Sequence, residues 1–313
     1  MNIVLAGNLS DDIARYFRKE FPEDQVEWMD TEEKYHEYSG ADCIVVRTFK
    51  TPERVFRNNP NLKAVLRWGA GYDSVDIRAA ASKGVIVANA PGINAYAVSE
   101  LAVAMMMALK RNLFRYWESV RQGQWDGKLF AAATETLNWK TVGIIGAGNI
   151  GRRVAKQVRS FGANVCYWDA YRLSEADERE LGLTFLELEE LLKQSDVISL
   201  HVPLTGETCH LIGQKELDMM KPGSVLINTA RGGLVDDEAL YEALRQGKLS
   251  GAGLDCLENE NVKENKLCTL DNVIITPHIG GTSKDLSAGM AAYMAEQIRM
   301  LKAEGTVKNI VSA

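Results

Sequence analysis

In the second half of the chain, strand-like runs end on residues that could do chemistry together. "VISL" runs into His201-Val202-Pro203, "SVLINTA" into Arg231, "GAGLDCL" into the loop bearing Glu260, and "NVIIT" into Pro277-His278. Ligands of an open α/β sheet bind outside the carboxyl ends of the strands, so these positions gather on one edge. A cation, a carboxylate and an imidazole there suit reversible hydride transfer to a 2-oxo acid. Arg231 would anchor the substrate carboxylate with its planar fork. His278 would deliver the proton to the carbonyl oxygen, and Glu260 beside it would favour the imidazolium. Singly, each has a plainer reading: a His capping a strand, an Arg closing a turn before Gly232-Gly233, a Glu in the solvated run "LENENVKEN". Their shared placement points to catalysis.

A hydride also needs a carrier. "TVGIIGAGNIGRRVAKQV" holds Gly146, Gly148 and Gly151 in G-x-G-x-x-G spacing, directly after a strand pattern and at the start of a helical one. The first glycine permits the tight turn, the second lets a pyrophosphate approach the backbone, and the third lets helix pack on strand. The helix N-terminus then meets the negative charge. Asp169 ends the next strand, where an acid accepts hydrogen bonds from the adenosine ribose and repels a 2'-phosphate; this favours NAD over NADP, with Arg172 nearby as a counter-signal.

The elements that must position these residues alternate from the start. "NIVLAG", "QVEWMD", "DCIVVR", "LKAVLRWG" and "VIVANAP" read as strands, and "DDIARYFRKEF", "TPERVFRN" and "VDIRAAASKG" as helices. That rhythm predicts a parallel sheet covered on both faces. An apolar helical stretch from Tyr96 to Arg111 follows Pro91-Gly92 and reads as a connector, after which a second βα series begins at "TVGIIG". The segment from Ser283 to Glu304 is helical with no strand after it and is expected to return to the first domain. The predicted fold class is α/β, with two parallel-sheet domains separated by a cofactor and substrate cleft: residues 1–94 with 284–313, and residues 95–283.

Composition bounds the rest. The 313 residues are 46% hydrophobic and 25% charged, enough for two substantial cores, and the net charge of -6 carries no basic footprint for nucleic acid. Five cysteines without C-x-x-C spacing read as buried thiols of a reducing compartment. Four histidines without ligand spacing argue against a metal site. The run "LAVAMMMAL" is too short to span a bilayer, and the N-terminus lacks signal-peptide character, so a cytoplasmic protein without membrane attachment is expected.

At these residues the chain resembles the D-isomer-specific 2-hydroxyacid dehydrogenases. The resemblance runs through "RWGAGYDSVD", "NAPGINAYAVSELA", "GIIGAGNIG", "LHVPLTGETCHLI", "NTARGGLVDDEAL", "GAGLDCLENE" and "PHIGGTS". It implies catalytic Arg231, Glu260 and His278. It also implies NAD contacts from Asn149, Ile150, Asp169, His201, Pro203, Thr208, Ala230, Asp255 and Gly280, beside the glycine turn. The first half becomes a flavodoxin-like substrate domain, with Gly69-Ala70-Gly71 as an anion nest for the substrate carboxylate. A homodimer through the nucleotide domain and its connecting helix is implied as well.

Arg47 and Arg67 end two strands of the first domain, and two guanidinium groups near a carboxylate nest suggest a second anion on the substrate. Within the resemblance, Arg47 and Arg67 match the phosphoglycerate dehydrogenase subgroup, which makes 3-phosphoglycerate and 3-phosphohydroxypyruvate the leading pair. Hydroxypyruvate or glyoxylate comes next, then a bulkier 2-oxo acid packing on Trp68. An NAD-sensing corepressor-like protein is the non-enzyme alternative. The chain departs from the family pattern at "LENEN" and at Trp68, and serine feedback through a regulatory C-terminal extension is not expected.

Overall fold

The computed structural model describes residues 1–311 and forms two compact units, residues 1–94 with 281–313 and residues 95–280. Each has its own parallel sheet.

Unit 1 holds β1 (Asn2–Ala6), β2 (Gln25–Met29), β3 (Cys43–Val46), β4 (Ala64–Arg67) and β5 (Ile86–Ala88), in the order β2-β1-β3-β4-β5. That order is the flavodoxin-like one. β1, β3 and β4 are apolar runs almost without alternation, as strands buried on both faces must be. One face is covered by α1 (Asp11–Glu20) and by α12 (Lys284–Glu304), whose Met290, Met294 and Ile298 join Ile3, Leu5, Val45 and Leu66 in one core. The opposite face is covered by α2 (Glu32–Glu37), α3 (Glu53–Asn58) and α4 (Ile77–Ser82) around Val4, Ile44 and Val65.

Unit 2 holds a sheet of seven strands in the order β12-β11-β10-β9-β6-β7-β8, the Rossmann arrangement. These are β6 (Thr141–Ile145), β7 (Asn164–Trp168), β8 (Thr184–Phe185), β9 (Val197–Leu200), β10 (Ser224–Asn228), β11 (Leu249–Leu254) and β12 (Val273–Ile275). The connector is α5 (Ala95–Lys110), which packs on α7 (Asn149–Ser160), β10 and β11. Gly253 makes this possible: a Cβ there would stand 2.9 Å from the Met105 side chain. Beyond α5, α6 (Leu113–Arg121) and the segment after it leave large apolar side chains in solvent, Trp117 at 61% and Trp125 at 91% exposure. Among the described residues no helix is long and apolar enough to cross a membrane.

Two expectations need correction. Cys43, Cys166 and Cys256 are buried, but Cys209 and Cys268 are exposed, because the first sits in a turn and the second in a short 3-10 helix, both outside the sheet. Trp68 packs into the core of unit 1 at 7% exposure, since its ring turns inward with Leu66 and Ala88. It therefore offers no surface to a bulky substrate.

Candidate active site

Register places the site. Trp168, Ile145, Leu200, Asn228, Leu254 and Ile275 pair across six neighbouring strands of unit 2. The residues one step further are Asp169, Gly146, His201, Thr229, Asp255 and Thr276. In a parallel sheet all of them leave at the carboxyl edge, so chemistry scattered over the sequence shares one rim.

The glycine turn fits a dinucleotide. Gly146 has φ +98°, and a Cβ there would lie 2.7 Å from the His201 backbone. Gly151 lets α7 approach so closely that a Cβ would sit 2.0 Å from the Gly146 carbonyl. Gly148, the N-cap of α7, has open space where its Cβ would be, so a pyrophosphate can reach the backbone. Asn149 and Ile150 open that helix, and its first-turn amides lack intrahelical acceptors. Asp169 accepts from the N–H of Ala147 at 2.7 Å and of Tyr171 at 3.0 Å, which ties the end of β7 to the turn. Arg172 is drawn away into a two-bond pair with Glu178 at 2.9 and 3.1 Å. Its guanidinium is thereby engaged by a carboxylate.

Next to the turn, His201 is bonded through Nε2 to Ser199 Oγ at 2.9 Å. Its Nδ1 is shut off from solvent without a partner, and so is Thr229 Oγ1. Burial pushes the His201 imidazole pKa down to about 3, so the ring is neutral. Pro203 and Thr208 form one tight loop, the Thr208 hydroxyl donating to the Pro203 carbonyl at 2.7 Å. Ser199 was missed by the sequence reading; its signal is the strand period of two, which puts residues 199 and 201 on one face.

The catalytic candidates come from three loops. Arg231 follows a turn clamped by buried Asn228, which accepts from Ala230 N–H at 3.1 Å and donates to the Arg231 carbonyl at 2.7 Å. Gly232 brings that segment against the Glu260 loop, because a Cβ on it would stand 1.9 Å from the Leu257 carbonyl oxygen. Glu260 and His278 meet at 3.3 Å, His278 Nδ1 to Glu260 Oε1. Behind this pair opens a cavity of about 460 Å³ walled by Val262, Leu267, Val273 and Ile275.

His278 itself has φ +54°, a left-handed conformation that costs a non-glycine residue about 1–2 kcal/mol. Asp255 holds it there. Its buried carboxylate accepts from Thr276 Oγ1 at 2.6 Å, Ile279 N–H at 2.8 Å and Gly280 N–H at 2.7 Å. Three donors around one carboxylate fold residues 276–280 into a fixed turn with His278 at its apex. Among the described residues no cluster of side chains could hold a metal ion.

In unit 1, the Gly69-Ala70-Gly71 loop turns its carbonyls inward, Gly69 O accepting from Ala90 N–H at 2.9 Å and Ala70 O from Asn89 Nδ2 at 2.6 Å. Among the described residues the Ala70 and Gly71 amides have no acceptor. Arg47 donates to Asn8 O at 2.8 Å and Thr282 Oγ1 at 3.1 Å, and no carboxylate pairs with it among the described residues. Arg67 donates to the Val46 and Trp68 carbonyls at 3.3 and 3.2 Å.

Known proteins resemble this chain in sequence and fold. Residues 103–280 match the family described as D-isomer specific 2-hydroxyacid dehydrogenase, NAD binding domain. The chain is 40% identical to a D-3-phosphoglycerate dehydrogenase of Methanocaldococcus jannaschii over 90% of its own length and 53% of the relative's. It is 40% identical to a glyoxylate reductase of Thermococcus litoralis over 85% of its length and 81% of that protein. It thus spans about half of the first relative but most of the second. The structure of D-lactate dehydrogenase from Aquifex aeolicus complexed with NAD and lactic acid superposes with a TM-score of 0.86 at 30% identity, covering 99% of this chain and all of that one. With a Rossmann sheet, a fitted dinucleotide turn and these relatives, the chain belongs to the D-isomer specific 2-hydroxyacid dehydrogenase family of NAD-dependent oxidoreductases.

Proposed function

We propose that the protein interconverts a D-2-hydroxy acid and its 2-oxo acid with NAD, with His278 as the acid in reduction. The observation that carries this reading is the His278–Glu260 pair on the same sheet edge as the dinucleotide turn. The bound cofactor supplies or accepts the hydride. With Nδ1–H donated to Glu260, His278 keeps Nε2 for the substrate oxygen, to which it hands the proton in reduction. Arg231 is assigned to the substrate carboxylate and polarised carbonyl, and in unit 1 the Ala70 and Gly71 amides are assigned as an anion nest for a carboxylate. Mixing NADH with hydroxypyruvate, glyoxylate, pyruvate, phenylpyruvate and phosphohydroxypyruvate tests the reading; no oxidation with any of them sinks it.

For the substrate we favour 3-phosphoglycerate and 3-phosphohydroxypyruvate. Arg47 supports this choice: it is partly desolvated, which lowers its pKa, yet it has no carboxylate partner among the described residues. Arg67, fixed at the end of β4, is assigned as the second cation. The test is kcat/KM for phosphohydroxypyruvate against hydroxypyruvate in wild type and Arg47→Ala. If the phosphate gives no advantage, or the advantage survives the substitution, the phosphate site is wrong. Hydroxypyruvate or glyoxylate is the second reading, favoured by the fuller coverage of the glyoxylate reductase relative.

The exposed apolar side chains of α6 and the segment beyond it support a homodimer through unit 2, since such a patch on a monomer would be unusual. Sedimentation of wild type against Trp117→Ser tests this; a monomeric wild type rejects it. A cytoplasmic location fits five free thiols.

A further inference from the structure

Three loops of the site meet at a histidine that the reaction does not use. His210 directly follows the loop of Pro203 and Thr208. Its backbone N–H donates to the Gly233 carbonyl at 2.8 Å, two residues beyond Arg231. Its ring Nε2 lies 2.8 Å from Glu258 Oε1, two residues before Glu260. The residue has φ +51°, so the backbone bends out of its ordinary range where the ring is aimed at that loop.

The Glu260 loop has few other moorings. Glu258 N–H and Asn265 Nδ2 donate to Asp237 at 3.2 and 2.8 Å, and Lys266 pairs with Glu238 at 2.6 Å. Asp236 caps α11 (Asp237–Arg245), accepting from Glu238 and Ala239 N–H, which leaves Asp237 free to grip the loop. Between these ends, residues 259–264 make one polar contact outside the loop among the described residues, that of Glu260 with His278. The position of Glu260 therefore depends on how firmly Glu258 is held. The charged groups facing His210 are Glu258, Asp236 and Asp237, and all favour the imidazolium; the hydrogen bond to Glu258 is the largest influence and raises its pKa.

We propose that His210 is a positioning residue, whose pair with Glu258 fastens the Glu260 loop to the cofactor loop and so sets the Glu260–His278 contact. The assignment rests on the reaction proposed above. It explains why a polar, half-exposed pair bridges two loops that each carry a site residue.

The test uses His210→Asn, which tolerates the left-handed backbone but is too short to reach Glu258, together with Glu258→Gln and the double variant. Amide hydrogen exchange over residues 258–265 is measured with kcat and the KM for NADH. Each single variant is expected to speed exchange in that loop and to lower kcat by about two- to five-fold, as suits one partly exposed ion pair. The NADH KM and the melting temperature should stay near wild type. The double variant should be no worse than either single one, because both remove the same tie. Unchanged loop exchange in His210→Asn overturns the proposal, as do single effects that multiply in the double variant. If wild type reduces no 2-oxo acid, the reaction assignment falls while the exchange measurement still decides whether His210 holds the loop.

Discussion

His278 Nδ1 lies 3.3 Å from Glu260 Oε1, while the turn that presents the imidazole is folded around Asp255. Acid and partner thus come from two loops, each braced by a different carboxylate. His278→Ala is expected to lower kcat by about 10²- to 10⁴-fold, the usual worth of a general acid. NADH binding, followed by fluorescence titration, should be nearly unchanged. A variant that keeps wild-type turnover removes His278 from the reaction.

Gly232→Ala probes the approach of the Arg231 segment to the Glu260 loop. A Cβ 1.9 Å from the Leu257 carbonyl cannot be absorbed without moving backbone. Strain of about 1–3 kcal/mol is expected, seen as a lower denaturant midpoint, with a fall in kcat/KM as Arg231 and Glu260 separate. Normal stability and activity would show that the two segments are free to part.

Asp169→Ala should cut NADH affinity by about ten-fold, the worth of one hydrogen bond to a charged group, and shrink the preference over NADPH. The comparison is NADH against NADPH Kd in both proteins. Because Asp169 also accepts from Ala147 N–H, part of the loss will appear as a looser glycine turn. A wild type that prefers NADPH contradicts the role.

His201 gives a pH dependence with a defined sign. Its folded pKa is about 3 against about 6.5 for a free histidine, so the native state binds fewer protons than the unfolded chain between those values. The stabilising contribution is complete above pH 6.5 and is lost as pH falls towards 3. In His201→Asn that loss disappears, so the melting-temperature gap between wild type and variant should narrow from pH 7.5 to pH 5. A gap independent of pH would falsify the buried neutral ring.

Most of the architecture was legible because buried parallel strands read as unbroken apolar runs. "CIVV" and "SVLIN" could be little else, and the glycine spacing in "GAGNIG" fixed the start of the nucleotide unit. Helix α2 and strand β8 went unread: the first is six residues of mostly polar "EEKYHE", the second two residues long. In α6 Phe114 and Trp117 face solvent, so its pattern does not report burial within this chain. The site was visible where residues follow strands. Asp237 was not, since only the structure shows that one aspartate of the pair caps a helix and its neighbour grips another loop.

The helix α12 closes the core of unit 1, yet it lies beyond the whole of unit 2 along the chain. During synthesis the nucleotide unit is contiguous and can complete its sheet while five strands of the other sheet still lack the Met290, Met294 and Ile298 face. The first strands to be made therefore belong to the last unit to finish. Their apolar surface stays open for as long as residues 95–280 take to be translated, which makes that interval the period of greatest need for a chaperone.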